Sequence, residues 1–346
     1  MTSAGPRTPA CSPGELSFDY FKPSLESIEH FTRYWGVNVI RVPITWERVQ
    51  PALQQPLNPS YLSLLDEVIL WGTSIWNGES VIIVDLFNFG RYNGQMLGTI
   101  SQDQFVDVWT RLAQKYVGYP AQAKGKIWFA LMNSPFGVDR KLWWTYQQAA
   151  LSAIRSVGFT STILLSGNSY SGAREWTATF SDRGAESNGR NALKIVDPLD
   201  NVLFDMTQFL DGTYTGGNED CTKVEFFNAL SPATKWLKDN GKKGFLGKFG
   251  VTNGPACTEQ LPEMLDYLNN SGVWVGWTYY GAGHLDQTAI SIESTFRTND
   301  KPQMALLGKW FRETGNALTR KEGEGVNNRT TWDVEKMGFL NVTGWS

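Results

Sequence analysis

The chain is short of cysteine, of charge of one sign and of long apolar runs, and each shortage closes off a class of protein. Only three cysteines, Cys11, Cys221 and Cys257, stand in 346 residues. Their spacing fits no zinc pattern, and an odd number leaves one thiol over if a bridge forms. The formal net charge is −3, the pI is near 5.6 and no basic run occurs, so nothing electrostatic draws nucleic acid or an anionic membrane. No apolar stretch approaches the roughly 20 residues of a membrane-spanning helix. No residue cluster calls for a metal or any other cofactor. Residues 1–13 are polar and rich in Pro and Ser, without the apolar core of a secretory signal; a mature or truncated product reads the same way. Sequons at Asn269, Asn328 and Asn341 suit a glycosylated protein, and secretion is the expectation.

What the chain has in quantity is tryptophan, 15 residues within an aromatic content of 13%. Stacking platforms for the apolar faces of sugar rings are one reading. A large core is the other, and the statistics of burial favour it.

Short apolar runs alternate with amphipathic segments, the signature of βα units around a parallel sheet. Seven strands are predicted at 37–44, 80–89, 126–133, 162–167, 201–209, 244–250 and 273–280. All are nearly continuous in Val, Ile, Leu, Phe or Trp, as expected when both faces are covered. Helices are predicted at 24–35, 60–71, 101–117, 139–156, 232–240, 258–271 and 301–312, with 174–191 a short helix and a loop. The expected fold is a single (β/α)8 TIM barrel over residues 15–314, its remaining strand drawn from 15–21. Residues 1–14 are expected to be disordered or extended, and 315–346, ending in TWDVEKMGFLNVTGWS, a C-terminal extension serving as strap or tail.

In such barrels chemistry gathers at the carboxyl ends of the strands. Those ends read VIRVPITW, VDLFNFGRYNG, FALMNSPFGVD, LSGNSYSG, LFDMTQFLD, FLGKFGVTNGPAC and GWTYYGAGHLD. In this order the blocks resemble glycoside hydrolase family 5, in its endo-β-1,4-glucanase branch, over roughly 24–312. The resemblance implies an Arg before Pro, met by Arg41, and an Asn-Glu-Pro, met by Asn133-Ser134-Pro135. The acid/base glutamate is thus Ser134, and the nucleophile glutamate is Lys248. Phe87 and Thr207 stand at two histidines of the pattern, Phe209 at a tyrosine and Tyr280 at a tryptophan. The resemblance also implies that Cys221 and Cys257 are bridged, which leaves Cys11 free.

Retaining hydrolysis needs two carboxyl groups about 5–5.5 Å apart. A serine is no acid near neutral pH, and losing a general acid forfeits about 10²–10⁴ in rate. A protonated lysine opposes the positive charge developing on the sugar by up to about 4 kcal/mol at 4 Å and an effective dielectric of about 20. Hydrolysis of the family's type is therefore not expected. The altered Phe87, Thr207 and Phe209 read as drift in a site released from selection. Lys248 is expected either to plug the site by pairing with Asp205 or to join Arg41 in greeting an acidic sugar.

The expected function is non-catalytic binding of β-glucan or a related cell-wall saccharide by a monomer, without nucleic-acid or membrane partners. Candidate ligand contacts are Arg41, Asn133, Asn168, Tyr280, Tyr92, Trp46 and Trp176, of which Trp46 and Trp176 read equally well as core. Two alternatives are a hydrolase with relocated carboxylates, from Asp85, Asp139, Asp205, Asp211 and Asp286, and a protein-interaction scaffold.

Overall fold

A computed structural model of the protein describes residues 16–17, 20–74, 80–119, 127–179, 186–217, 221, 225–283, 288–294, 299–311 and 337–342, the last stretch as backbone. Eight parallel strands close a barrel in chain order: β1 (Val39–Ile44), β2 (Val81–Leu86), β5 (Ile127–Ala130), β6 (Ile163–Ser166), β7 (Val202–Thr207), β8 (Gly244–Phe249), β9 (Trp274–Ala282) and β10 (Met337–Val342). A small antiparallel hairpin, β3 (Arg91–Tyr92) and β4 (Gln95–Met96), follows β2. Every residue of β1 and β2 is buried, which is why these strands are apolar on both faces.

The closing strand corrects the sequence expectation. Of residues 15–21, the described ones (16–17 and 20–21) form no barrel strand and show only an isolated bridge between Leu16 and Tyr20. Instead β10, inside the segment expected to lie outside the barrel, pairs Leu340 with Ile40 on one side and with Tyr279 on the other. The weak alternation at 15–21 precedes Pro23, whereas MGFLNV carries the nearly continuous apolar character of its seven partners.

Helices cover the outside. That at Gln102–Val117 starts on a capping box between Ser101 and Gln104 and buries Phe105, Val108, Trp109, Leu112 and Tyr116 against the barrel. That at Phe226–Asp239 begins six residues before the predicted 232 and holds Pro232 in its interior. Pro at a helix start is the usual signal. Here burial of Ala229, Leu230, Ala233 and Leu237 carries the helix through it.

Inside the barrel the side chains are layered. Val39, Val81, Ile83, Ala130, Leu164 and Phe245 form an apolar plug separate from the core beneath the helices. One pleat further along β1, β2 and β7 come Arg41, Asp85 and Asp205, so the pleat that builds the plug also aims these polar groups inward.

Candidate functional site

The floor of the barrel mouth is a buried ionic network centred on Arg41. Its Nε donates to Asp85 Oδ2 at 2.9 Å, its Nη2 to Asp205 Oδ2 at 2.7 Å and its Nη1 to Asp205 Oδ1 at 3.1 Å. Asn133 Nδ2 also donates to Asp85 Oδ2, at 3.1 Å. Arg41, Asp85 and Asp205 are at most 5% exposed, so the three charges answer one another rather than solvent. Burial works against the Arg41 charge, but Asp205 and Asp85 outweigh it and hold the guanidinium above its ordinary range. Burial likewise pushes the Asp205 carboxyl up, against the pull of Arg41. Gly247 makes room for the pair, because a Cβ there would overlap Asp205 Oδ1 and Arg41 Nη1. Its carbonyl accepts from Arg41 and from Thr278 Oγ1.

Above this floor lies Lys248, half-buried at the carboxyl end of β8, where a register irregularity sets it opposite Thr207. Neither expected arrangement is found. Asp205 is taken by Arg41, and among the described residues the Lys248 ammonium has no ion pair or hydrogen bond. Arg41, neutralised by two aspartates, offers no second free cation. Lys248 Nζ lies instead 4.4 Å from the ring centre of Tyr280, 4.9 Å from that of Phe87 and 5.9 Å from that of Phe89. The Phe87 and Tyr280 rings are parallel to within 3°, and Phe209 meets Tyr280 edge-on. Burial lowers the Lys248 amine to about 8; Asp85 and Asp205 pull the other way, while Arg41 adds to the fall.

The other sequence candidates divide. Ser134 is buried at the mouth in the left-handed region, with φ of 44°, and Thr207 is half-buried on β7. Trp46, Trp176, Tyr92 and Asn168 are not surface contacts. Trp46 is fully buried, donates to Gln50 and meets Tyr92 and Phe105 edge-on. Trp176 is fully buried among Trp144, Phe204 and Trp236. The Tyr92 hydroxyl donates to the carbonyls of Gln50 and Pro51, and Asn168 donates to the Val138 carbonyl and accepts from Ser169 N. The polar groups of Trp46, Tyr92 and Asn168 tie loops together, as buried polar groups do.

The candidate carboxylates are also occupied. Asp139 caps the helix Arg140–Ser156, and Asp211 accepts from Gly216 N and the Thr213 hydroxyl. Asp286 and Cys11 lie outside the described residues. Among the described residues no group of His, Cys, Asp or Glu is arranged to hold a metal ion, and no helix is long and apolar enough to cross a membrane. Cys221 and Cys257 are bridged, with Cα atoms 5.1 Å apart.

Sequence reasoning missed an aromatic ledge beside the cage. Tyr170, 51% exposed, stacks on Phe136 with ring centres 4.7 Å apart, and Phe136 meets Phe89 edge-on. The Arg91 guanidinium covers Phe136 at 4.0 Å. Ser169, Tyr170 and Ser171 all have φ near +60°, a turn that presents Tyr170 outward. The signal available was the NSYSG run, dense in turn-forming residues. Glu47 is a further missed carboxylate at this end, accepting from Asn88 Nδ2 at 2.7 Å and from Asn93 N at 2.5 Å.

A closed barrel of eight parallel strands ringed by helices, with polar groups gathered at the carboxyl ends of the strands, is a protein of the TIM-barrel class. The model of the cellulase family, glycosyl hydrolase family 5, matches residues 7–283, and the chain belongs to that family. It is 34% identical over 274 residues to endo-beta-1,4-glucanase B of Emericella nidulans, covering 78% of this chain and 77% of that protein. Among solved structures, XacCel5A in complex with cellopentaose shares 34% identity at a TM-score of 0.80, covering 86% of this chain and 93% of the other. The endoglucanase Cel5A of Pseudomonas stutzeri in complex with cellobiose shares 26% identity at a TM-score of 0.76, covering 92% of each chain.

Proposed function

We propose that the protein is a non-catalytic, extracellular, monomeric binder of β-1,4-glucan-type saccharide. The observation that carries this reading is the state of the carboxylates, Asp85 and Asp205 being both held by Arg41; it is supported by the resemblance read from the sequence, which puts Ser134 and Lys248 at the places of the family's two glutamates. A glycosidic bond entering the mouth meets a hydroxyl and an amine where it needs an acid and a nucleophile. The wall of Phe87, Tyr280, Phe89, Phe136 and Tyr170 supports retention of binding, because it offers flat apolar faces next to polar Ser134 and Thr207. Two relatives whose structures hold cellopentaose and cellobiose make cello-oligosaccharides the first ligands to test.

The experiment pairs calorimetry with methyl β-cellobioside and cellotetraose against an assay of reducing ends released from soluble cellulose. Binding heat without release supports the reading. Release that co-purifies with the folded chain overturns the non-catalytic half, and absence of heat with every β-glucan overturns the binding half.

A further inference from the structure

We infer that Lys248 is an amine nucleophile that condenses with aldehydes, and in the saccharide cleft with the open-chain C1 aldehyde of a reducing sugar. The sugar half of this inference rests on the proposed saccharide-binding reading; the amine half stands on the geometry of the mouth alone.

Three features set this lysine apart. It lies at the carboxyl end of β8, half-buried at the mouth of the barrel rather than on the outer surface. Its ammonium has no carboxylate partner among the described residues, because Asp85 and Asp205 are both turned to Arg41. Three rings wall it, those of Phe87, Phe89 and Tyr280, and an apolar wall replaces water with groups that solvate an ammonium less well than water does. Among the described residues the charged groups around it are Arg41 on β1, Asp85 on β2 and Asp205 on β7, which together leave one net negative charge beneath the amine. That charge limits the fall in proton affinity and does not reverse it: the amine stands at about 8, against 10.5 for a free lysine. At pH 7 about a tenth of such an amine is unprotonated, compared with roughly one part in three thousand for a free one.

The step is a condensation without redox change. The Nζ lone pair adds to the carbonyl carbon, a proton moves from nitrogen to oxygen, and the resulting hydroxyl leaves as water with a proton supplied by solvent. One C=N bond replaces the C=O bond, and water reverses it. Lysines that act through imines in this manner are those desolvated in apolar pockets or placed beside another cation. Burial beside Arg41 gives Lys248 both features.

The test is reductive trapping on the intact chain. Glycolaldehyde and sodium cyanoborohydride are applied between pH 6 and 10, and each lysine's conversion to the N-hydroxyethyl form is followed by peptide mapping. Lys235 and Lys309, with side chains 76% and 64% exposed, serve as internal references. The roughly three-hundredfold larger unprotonated fraction is partly offset by the weaker nucleophilicity of a less basic amine, so Lys248 is expected to be modified at least about tenfold faster than either at pH 7, and to level off above about pH 8. Modification of Lys248 no faster than Lys235, or a rate still climbing steeply through pH 10, overturns the proposal. Because the ratio is read on the unaltered chain, it holds even if Lys248→Arg fails to fold; a folded Lys248→Arg should lose only this fast adduct.

Two sugars separate the inference from the reading it rests on. Methyl β-cellobioside, whose C1 is locked as an acetal, reports binding by calorimetry, and cellobiose with cyanoborohydride reports capture. Binding of the glycoside with no adduct from either aldehyde sinks the inference and leaves the binding reading standing. Fast glycolaldehyde labelling without glycoside binding keeps the amine, and removes both the sugar capture and the binding reading.

Discussion

Replacing Lys248 by Met should stabilise the protein at neutral pH and lose that advantage in alkali. Lowering an amine from 10.5 to about 8 disfavours the charged form in the folded state by about 3 kcal/mol, at about 1.4 kcal/mol per tenfold change in proton affinity. Since the side chain is half-buried, solvent screening reduces the usable part to about 1–2 kcal/mol. Methionine fills a similar volume between the rings without a charge to desolvate, and it makes favourable sulfur–aromatic contacts. The opposing effect is the attraction of the ammonium to Tyr280, Phe87 and Phe89, about 0.5–1 kcal/mol for each well-placed ring at exposed sites. The burial penalty is set above the ring attraction, and the stability comparison decides between them. The pH dependence follows from the same comparison. Below pH 8 the lysine is protonated in both states and the wild type bears the full penalty. Between about 8 and 10.5 the unfolded chain binds more protons than the native one, so wild-type stability rises with pH and the gap to Lys248→Met closes. Urea midpoints of both proteins at pH 7 and pH 10, at equal slopes, measure it. A Met variant less stable than wild type at pH 7, or one whose advantage is the same at both pH values, refutes the reasoning and hands the site to the ring contacts.

Gly247→Ala should cost about 3–5 kcal/mol, the usual effect of breaking one arm of a buried ion pair, since its Cβ displaces Asp205 from Arg41; Gly118→Ala, with open space and φ of −92°, is the control that should change little in the same thermal melts. Ending the chain before Met337 leaves β1 and β9 as unpaired edges, and gel filtration should show self-association or loss of the compact species; a soluble monomer with an unchanged melting curve would remove β10 from the barrel. Ser134→Glu combined with Lys248→Glu should not restore turnover of an aryl cellobioside, because Phe87, Thr207 and Phe209 offer the new carboxylates no imidazole or phenol to orient them; strong turnover by this double variant alone counts against the argument.

The seven inner strands were legible because strands covered on both faces write a nearly continuous apolar run, and each observed strand lies within, or within two residues of, its predicted range. The eighth was not, since choosing between 15–21 and 337–342 depends on which run reaches the gap between β9 and β1, a long-range fact absent from local pattern. At the site, Arg41 and Asn133 were found through motif order, but their depth and the capture of both aspartates by one guanidinium required the register of three strands. Asp205 is near Lys248 by strand adjacency, yet the planar fork of Arg41 takes both of its oxygens. The tryptophans misled for a simpler reason. Trp46 and Trp176 sit near strand ends in sequence, but both are wholly covered, whereas the exposed ring of the mouth, Tyr170, came from a turn with no tryptophan at all.

The geometry links two residues that sequence treats separately, Phe87 and Lys248. Phe87 by itself is an apolar ring that cannot hydrogen-bond. With Lys248 above an already neutralised Arg41, the same ring is one of three surfaces around an ammonium that has no carboxylate partner among the described residues. A histidine at position 87 would add a second titrating cation beside the first and lower both proton affinities further. An apolar ring leaves the lysine, among the described residues, as a basic group at the mouth with no ion pair. The Phe87 ring and the Lys248 ammonium therefore act as a pair, and changing only one of them, by Phe87→His or Lys248→Glu, should disturb the mouth more than changing both.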